Sequence, residues 1–285
     1  MKKFILPLVL IAAVTLAGTV NAQIVTPAPS PLAKLEQKVG LIDVTVEYSR
    51  PGKKDREIFG GLVPYGKKWR TGANKNTTIE FSGDVTIEGE ALKAGKYAIY
   101  SIPNKDSWSI MFYKDTENWG VPREWDEEQV ALTVEVKPAE LIATFETFLI
   151  NFDHLRNGSA HLQLIWENTM VNIKVETDTD TAVLANIKSV MGGPTQNDYY
   201  TAARYYYDSD KDLNKAAAWI AKANAANPKF WMVRYEALIH AKMGDYAKAI
   251  EHAEHSKKLA EEAGNQNYVR NNTQSIEEWT AKLKK

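Results

Sequence analysis

The chain has 285 residues and no cysteine, and its 35 Lys and Arg against 36 Asp and Glu leave a net charge of −1. That balance excludes the basic footprint nucleic acid requires, so no nucleic-acid partner is expected. The missing cysteines exclude disulfide staples and a cysteine nucleophile, yet the length is ample for an unstapled core and for two domains. Lys2 and Lys3 precede an apolar stretch from Phe4 to Leu16, and Val20-Asn21-Ala22 offers small residues for cleavage. This is the pattern of a secretory signal peptide over residues 1–22, too short and wrongly flanked for a stable membrane span. Cleavage after Ala22 is expected, giving an exported protein, periplasmic or extracellular, that spans no membrane. No cysteine follows the cleavage position, so a lipid anchor is excluded.

Residues 23–33, QIVTPAPSPLA, read as an extended leader rich in Pro and small side chains. Over residues 34–177 the dominant period is two. Ile42, Val44, Val46 and Tyr48 alternate with Asp43, Thr45 and Glu47. The same zigzag runs through Leu132, Val134 and Val136, through Phe148, Ile150 and Phe152, through Leu162, Leu164 and Trp166, and through Val171, Ile173 and Val175. Such alternation marks strands with one buried face. Asn157-Gly158 signals a hairpin, and Pro103-Asn104-Lys105-Asp106 marks another turn. The expected architecture is an all-β antiparallel sandwich or barrel-like domain of roughly eight to ten strands.

The pattern changes after Thr177. A linker helix, capped by Asp178 or Asp180, is expected within residues 178–195 and ends at Gly192-Gly193-Pro194. Residues 196–285 read as an all-α domain, rich in Ala, Lys and Glu. Within it, Asp212-Leu213-Asn214-Lys215-Ala216 aligns with Asp245-Tyr246-Ala247-Lys248-Ala249 at an offset of 33. This spacing of small residues resembles tetratricopeptide repeats, which implies paired helices and a groove for a protein or peptide partner. Only about two units are present, fewer than the three or more a solenoid usually needs. The helices are therefore expected to dock on the sandwich or to supply their own cap, with Trp219, Trp231 and Trp279 as packing candidates. Tyr199, Tyr200, Tyr205, Tyr206 and Tyr207 serve either a docking groove or interdomain packing.

Within the β half, KKWRTGAN (residues 67–74) has neither helical nor strand period. One reading is a binding loop. Arg56 and Arg70 present planar guanidinium forks to a carboxylate or to sugar oxygens, Asn74 adds a donor and an acceptor, and Gly72 lets the backbone approach a ligand. The other reading is a structural pin, in which Trp69 plugs the core, and Arg70 pairs with backbone carbonyls or with a buried acid such as Glu167, while Arg50 braces the same edge. Trp119, beside Gly120, is the best candidate for stacking on a sugar ring. Trp108 alternates with Ile110 and Phe112 as core residues do.

Catalytic signals are sparse. There is no G-x-S-x-G elbow, no P-loop and no HExxH. His154 and His161 flank the Asn-Gly turn and, with Asp153, imitate a metal site only thinly. His252 and His255 lie three apart on a helix face with Glu251 and Glu254, which reads as a solvated, charge-mixed surface. No metal and no cofactor are expected. Asp115, Glu117, Asp126 and Glu127, near Trp119, mark where a paired-carboxylate hydrolase would keep its acids.

Several phrases occur together in order: SPLAKLEQKVGLIDVTVEYSRP, Arg56-Glu57-Ile58-Phe59-Gly60, LVPYGKKWRTGAN, LKAGKYAIYSIP and Asn118-Trp119-Gly120. Over roughly residues 30–176 this ensemble resembles an exported domain-of-unknown-function family, numbered 2911. The resemblance implies export and a domain boundary near residue 176, and it implies no reaction. The expectation is a non-catalytic exported protein: a ligand- or partner-binding sandwich, taking a glycan or small anion, with a helical tail for protein contacts. The alternatives are an envelope hydrolase of glycan or peptide, and a purely structural assembly component.

Overall fold

The computed structural model describes residues 26–284. The segment read as a signal peptide, residues 1–22, lies outside the described residues, as do residues 23–25 of the leader. Ten strands come first: β1 Leu32–Val39, β2 Ile42–Ser49, β3 Thr77–Phe81, β4 Val85–Ile87, β5 Glu90–Leu92, β6 Gly95–Ile102, β7 Trp108–Tyr113, β8 Val130–Val136, β9 Pro138–Asp153 and β10 Ser159–Thr177. They form two antiparallel sheets, one in the order β1-β2-β3-β6-β7-β8 and one in the order β5-β4-β10-β9. Leu32 and Ala33, which composition places in the leader, already pair with Ser49 and Tyr48 in β1.

The alternating residues build one shared core. Val44, Val46, Ile79, Ile99, Ile110 and Phe112 from the first sheet meet Phe148, Ile150, Leu162, Leu164, Val171 and Ile173 from the second. The outer edge strand β1 carries Lys34, Glu36 and Lys38, charges that discourage pairing with another chain. The two sequence runs ending in Trp166 and Val175 are one 19-residue strand. Its buried positions switch from even to odd numbers because the register with β9 shifts on either side of Glu167. Glu167 itself holds φ 54°, the bulge that re-aims everything after it.

Six helices follow: α1 Thr179–Val190, α2 Gln196–Asp208, α3 Leu213–Ala226, α4 Phe230–Lys242, α5 Tyr246–Glu262 and α6 Gln266–Leu283. Asp178 caps α1 by accepting from the Thr181 amide, and Asp212 and Asp245 cap α3 and α5. Asp180 does not cap. It pairs with Lys211 at 2.6 Å and accepts from the Tyr205 hydroxyl. Lys211 first and Tyr205 second hold the Asp180 carboxyl below its ordinary range, while burial and Asp180 push Tyr205 up to about 12.

The helices bury their own aromatic rings. Tyr206 meets Trp219 edge-on at 4.8 Å, Tyr200 and Tyr207 flank Tyr235, and Trp279 sits among Ala237, Ala249 and Ala253. The three tryptophans named as packing candidates thus pack among the helices, because the small Ala positions let neighbouring helices close over them. Among the described residues, no helix is long and apolar enough to cross a membrane.

Candidate functional site

The loop from Trp69 to Asn74 is bonded to the first sheet and packs its tryptophan against the second. Trp69 exchanges backbone hydrogen bonds with Ser101 of β6, at 2.7 and 2.9 Å. Its ring stacks on Trp166 at 5.9 Å and meets Phe148 and Phe59 edge-on. Aromatic pairs of this kind add about 0.5–1.5 kcal/mol each beyond area burial. The indole Nε1 donates to the Gly72 carbonyl at 3.1 Å, closing the loop on itself.

The turn that follows is held in left-handed backbone. Thr71 has φ 54° and Asn74 φ 59°. Such conformations cost roughly 1–2 kcal/mol for a residue with a Cβ, so the surroundings must hold them. They do: Thr71 Oγ1 bonds Ser101 Oγ at 2.9 Å, and the Thr77 hydroxyl donates to the Thr71 carbonyl at 2.6 Å. Asn74 Nδ2 donates to the Ser30 carbonyl and to Ser49 Oγ. The Asn74 amide therefore ties the loop to the start of β1 and the end of β2.

This framework exposes a cleft of about 340 Å³ lined by Lys54, Arg56, Arg70, Trp69, Trp166 and Gly72, among others. Arg56 and Arg70, 14 positions apart in sequence, line one cavity. Arg70 Nη1 donates to the Asn74 carbonyl at 2.7 Å, and the guanidinium lies over Gly120, where an added Cβ would come within 3.2 Å of Nη1. Arg56 is exposed and donates through Nε to the Lys53 carbonyl and through Nη2 to the Gly52 carbonyl. Among the described residues, neither guanidinium has a carboxylate within ion-pair distance, and the cleft lining holds three cationic side chains and no acid.

Glu167 does not meet Arg70. Its carboxylate accepts from the Ile58 amide at 3.3 Å and faces Lys53 Nζ at 3.5 Å, because the bulge turns it towards the 53–58 loop. Arg50 donates through Nε to the Phe148 carbonyl at 3.1 Å, bridging the two sheets. Trp119 stands outside the cleft lining, 76% exposed, although its neighbour Gly120 lies against Arg70. Burial raises the Tyr100 hydroxyl, which donates to the Gly120 carbonyl at 3.1 Å and fixes that loop.

The acids near Trp119 serve local structure. Asp115 Oδ1 accepts from the Glu117 amide, and Asp126 Oδ1 from the Glu128 amide. Glu117 pairs with Lys75 at 2.9 Å, and that bond holds its carboxyl below the ordinary range, the reverse of what a general acid needs. His154 and His161 stack at 5.0 Å across their turn. Sequence reasoning missed Lys54 and Trp166 as cleft residues. Lys54 sits in an unpatterned loop, and Trp166 looks like any inward strand residue.

The fold and cleft define a class: a two-sheet antiparallel sandwich with a cation-lined cleft beside the 69–74 loop, followed by a helical module. Residues 30–175 match the family described as Protein of unknown function (DUF2911), and the chain belongs to that family. The matched span covers the sandwich and stops before the first helix. No curated protein and no solved structure matches the chain.

Proposed function

We propose that the protein is exported and non-catalytic, and that its sandwich captures a small carboxylate ligand with a ring-shaped body, an acidic sugar being the best fit. The observation that carries this reading is the cleft lining: Lys54, Arg56 and Arg70 with no carboxylate among them, beside the Trp69 and Trp166 rings. A guanidinium with free N–H donors recognises a carboxylate through paired, charge-assisted hydrogen bonds. The partly exposed Trp69 indole, backed by the buried Trp166, offers an apolar surface for the body of the ligand. Export rests on the signal-like residues 1–22. The helical tail is read as a tetratricopeptide-like module for a protein or peptide partner. Support for that comes from the Asp212 and Asp245 caps, which open α3 and α5 at the same offset of 33.

Titration calorimetry of the full-length mature chain tests the binding reading with uronic acids against their neutral parent sugars. The uronate is expected to bind and the neutral sugar to bind much more weakly. Arg70→Gln is expected to lower uronate affinity about tenfold or more, as loss of a charge-assisted hydrogen bond implies. Equal affinity for acid and neutral sugar, or binding unchanged by Arg70→Gln, overturns it. A structural reading has its own support, since both guanidiniums also hold backbone carbonyls. If no acidic ligand binds while Arg56→Gln and Arg70→Gln each lower the melting temperature, the structural reading stands instead.

A further inference from the structure

Spacing along α5 pairs His252 with His255, but the fold pairs His252 with His240 across the seam between α4 and α5. Glu236 and His240 lie four apart on α4 and so share one face of that helix. Opposite them, Ala249 and Ala253 keep α5 close, and His252 projects into the same seam. One ligand atom from each of Glu236, His240 and His252 lies within 4.8 Å of the other two. The two imidazoles are nearly parallel, 10° apart, with centroids 5.3 Å apart.

Glu236 is 7% exposed, and among the described residues no Lys or Arg comes within ion-pair distance of it. A buried carboxylate without a countercharge is costly, so the seam calls for a cation. The nearest candidate is His252, whose Nδ1 lies 3.5 Å from Glu236 Oε2. That is long for a charge-assisted hydrogen bond. It matches the roughly 3.3–3.4 Å that two ligands of one tetrahedral zinc keep when each bond is about 2.0–2.1 Å. His240 adds a second sign. Its Nδ1 is buried and has no hydrogen-bond partner, with the Asp245 carboxylate only as near as 3.8 Å. Outside the three ligands, Asn224 Nδ2 donates to Glu236 Oε2 at 2.8 Å, the orienting contact a ligating carboxylate usually has.

We propose that Glu236, His240 and His252 form a site for a divalent transition-metal ion, zinc being the natural occupant, that clasps α4 to α5. Two imidazoles and one carboxylate suit zinc and its first-row neighbours and disfavour calcium and magnesium, which prefer all-oxygen shells. Three protein ligands leave a fourth position for water or for a side chain of a partner.

The test is zinc chloride titrated into the full-length mature chain after chelator treatment, read by competition with a metal indicator and by thermal unfolding. One equivalent is expected to bind at micromolar concentration or tighter and to raise the melting temperature, since a ligand that binds only the folded state stabilises it. His252→Gln, at a partly exposed position and checked for an unchanged circular dichroism spectrum, is expected to weaken binding by more than about 100-fold, beyond the 10–100-fold typical of an outer contact. Asn224→Ala falls in that smaller range. His255→Gln and His161→Gln, outside the cluster, are expected to bind as the unaltered chain does. No binding at micromolar zinc refutes the proposal and leaves the seam as a Glu236–His252 ion pair. Binding that survives His252→Gln, or that is lost in His161→Gln, also refutes it and moves the metal to another site.

Discussion

Thr71, Gly72 and Asn74 all hold positive φ, and they do so within the loop that presents Arg70. The conformation is over-determined, since Ser101, Thr77, Ser30 and Ser49 each contribute a bond to it. At Gly72, with φ 149°, no side chain fits: a Cβ would stand 2.9 Å from Thr77 Oγ1 and 3.1 Å from the Ser49 carbonyl. The hydroxyl that would have to move is the one bonded to the Thr71 carbonyl. Gly72→Ala is therefore expected to destabilise the fold by about 1–3 kcal/mol. It should also displace Arg70 and weaken any anion bound in the cleft. Thermal unfolding with a parallel binding titration checks both effects, and an unchanged melting temperature would show that the loop relaxes without strain.

At the scale of elements, the Glu167 bulge joins the two halves of β10 and aims a carboxylate at the 53–58 loop. Glu167→Ala removes the acceptor of the Ile58 amide and the partner of Lys53, and leaves a Cβ-bearing residue at φ 54°. A cost of about 1–3 kcal/mol is expected from the unsatisfied amide, measurable as a lower urea midpoint with an unchanged slope. A variant as stable as the parent would mean that the loop finds another acceptor. Alternation made the strands legible: the zigzags through Val44, Phe148 and Leu162 read directly as inward faces. The bulge was not legible, because a phase change between Trp166 and Val171 looks the same as a turn between two strands. The cleft was half legible. Arg70 and Arg56 stood out by residue type, but their convergence depends on a loop path that carries no period. The Arg70–Glu167 pairing failed for the same reason, since spacing does not say which way a bulged side chain points. His240 was invisible as a partner of His252, because the contact crosses two helices and repeats at no fixed interval.

At the scale of the whole molecule, the sheets and the helices have separate cores. The sandwich core runs from Val39 to Val175, and the helical clusters draw only on residues from Tyr199 onward. Among the described residues, what joins them is polar: Asn157 Nδ2 donates to Ser209 Oγ at 2.7 Å, and Asp180 of α1 pairs with Lys211 at 2.6 Å and accepts from the Tyr205 hydroxyl. Polar contacts of this kind contribute about 1 kcal/mol each, too little to make two cores unfold as one. Urea unfolding of the mature chain is thus expected to show two transitions. Thr179 is buried and lies over Gly40, so α1 belongs with the sandwich for this purpose. A fragment of residues 26–192 is then expected to keep one cooperative transition, with its midpoint close to that of one of the two in the full chain. The family span, which ends at residue 175 before α1 begins, fits a sandwich that stands by itself. A fragment that lacks a cooperative transition, or a full chain that unfolds in a single step through every probe, would show instead that the helices are part of the sandwich's stability.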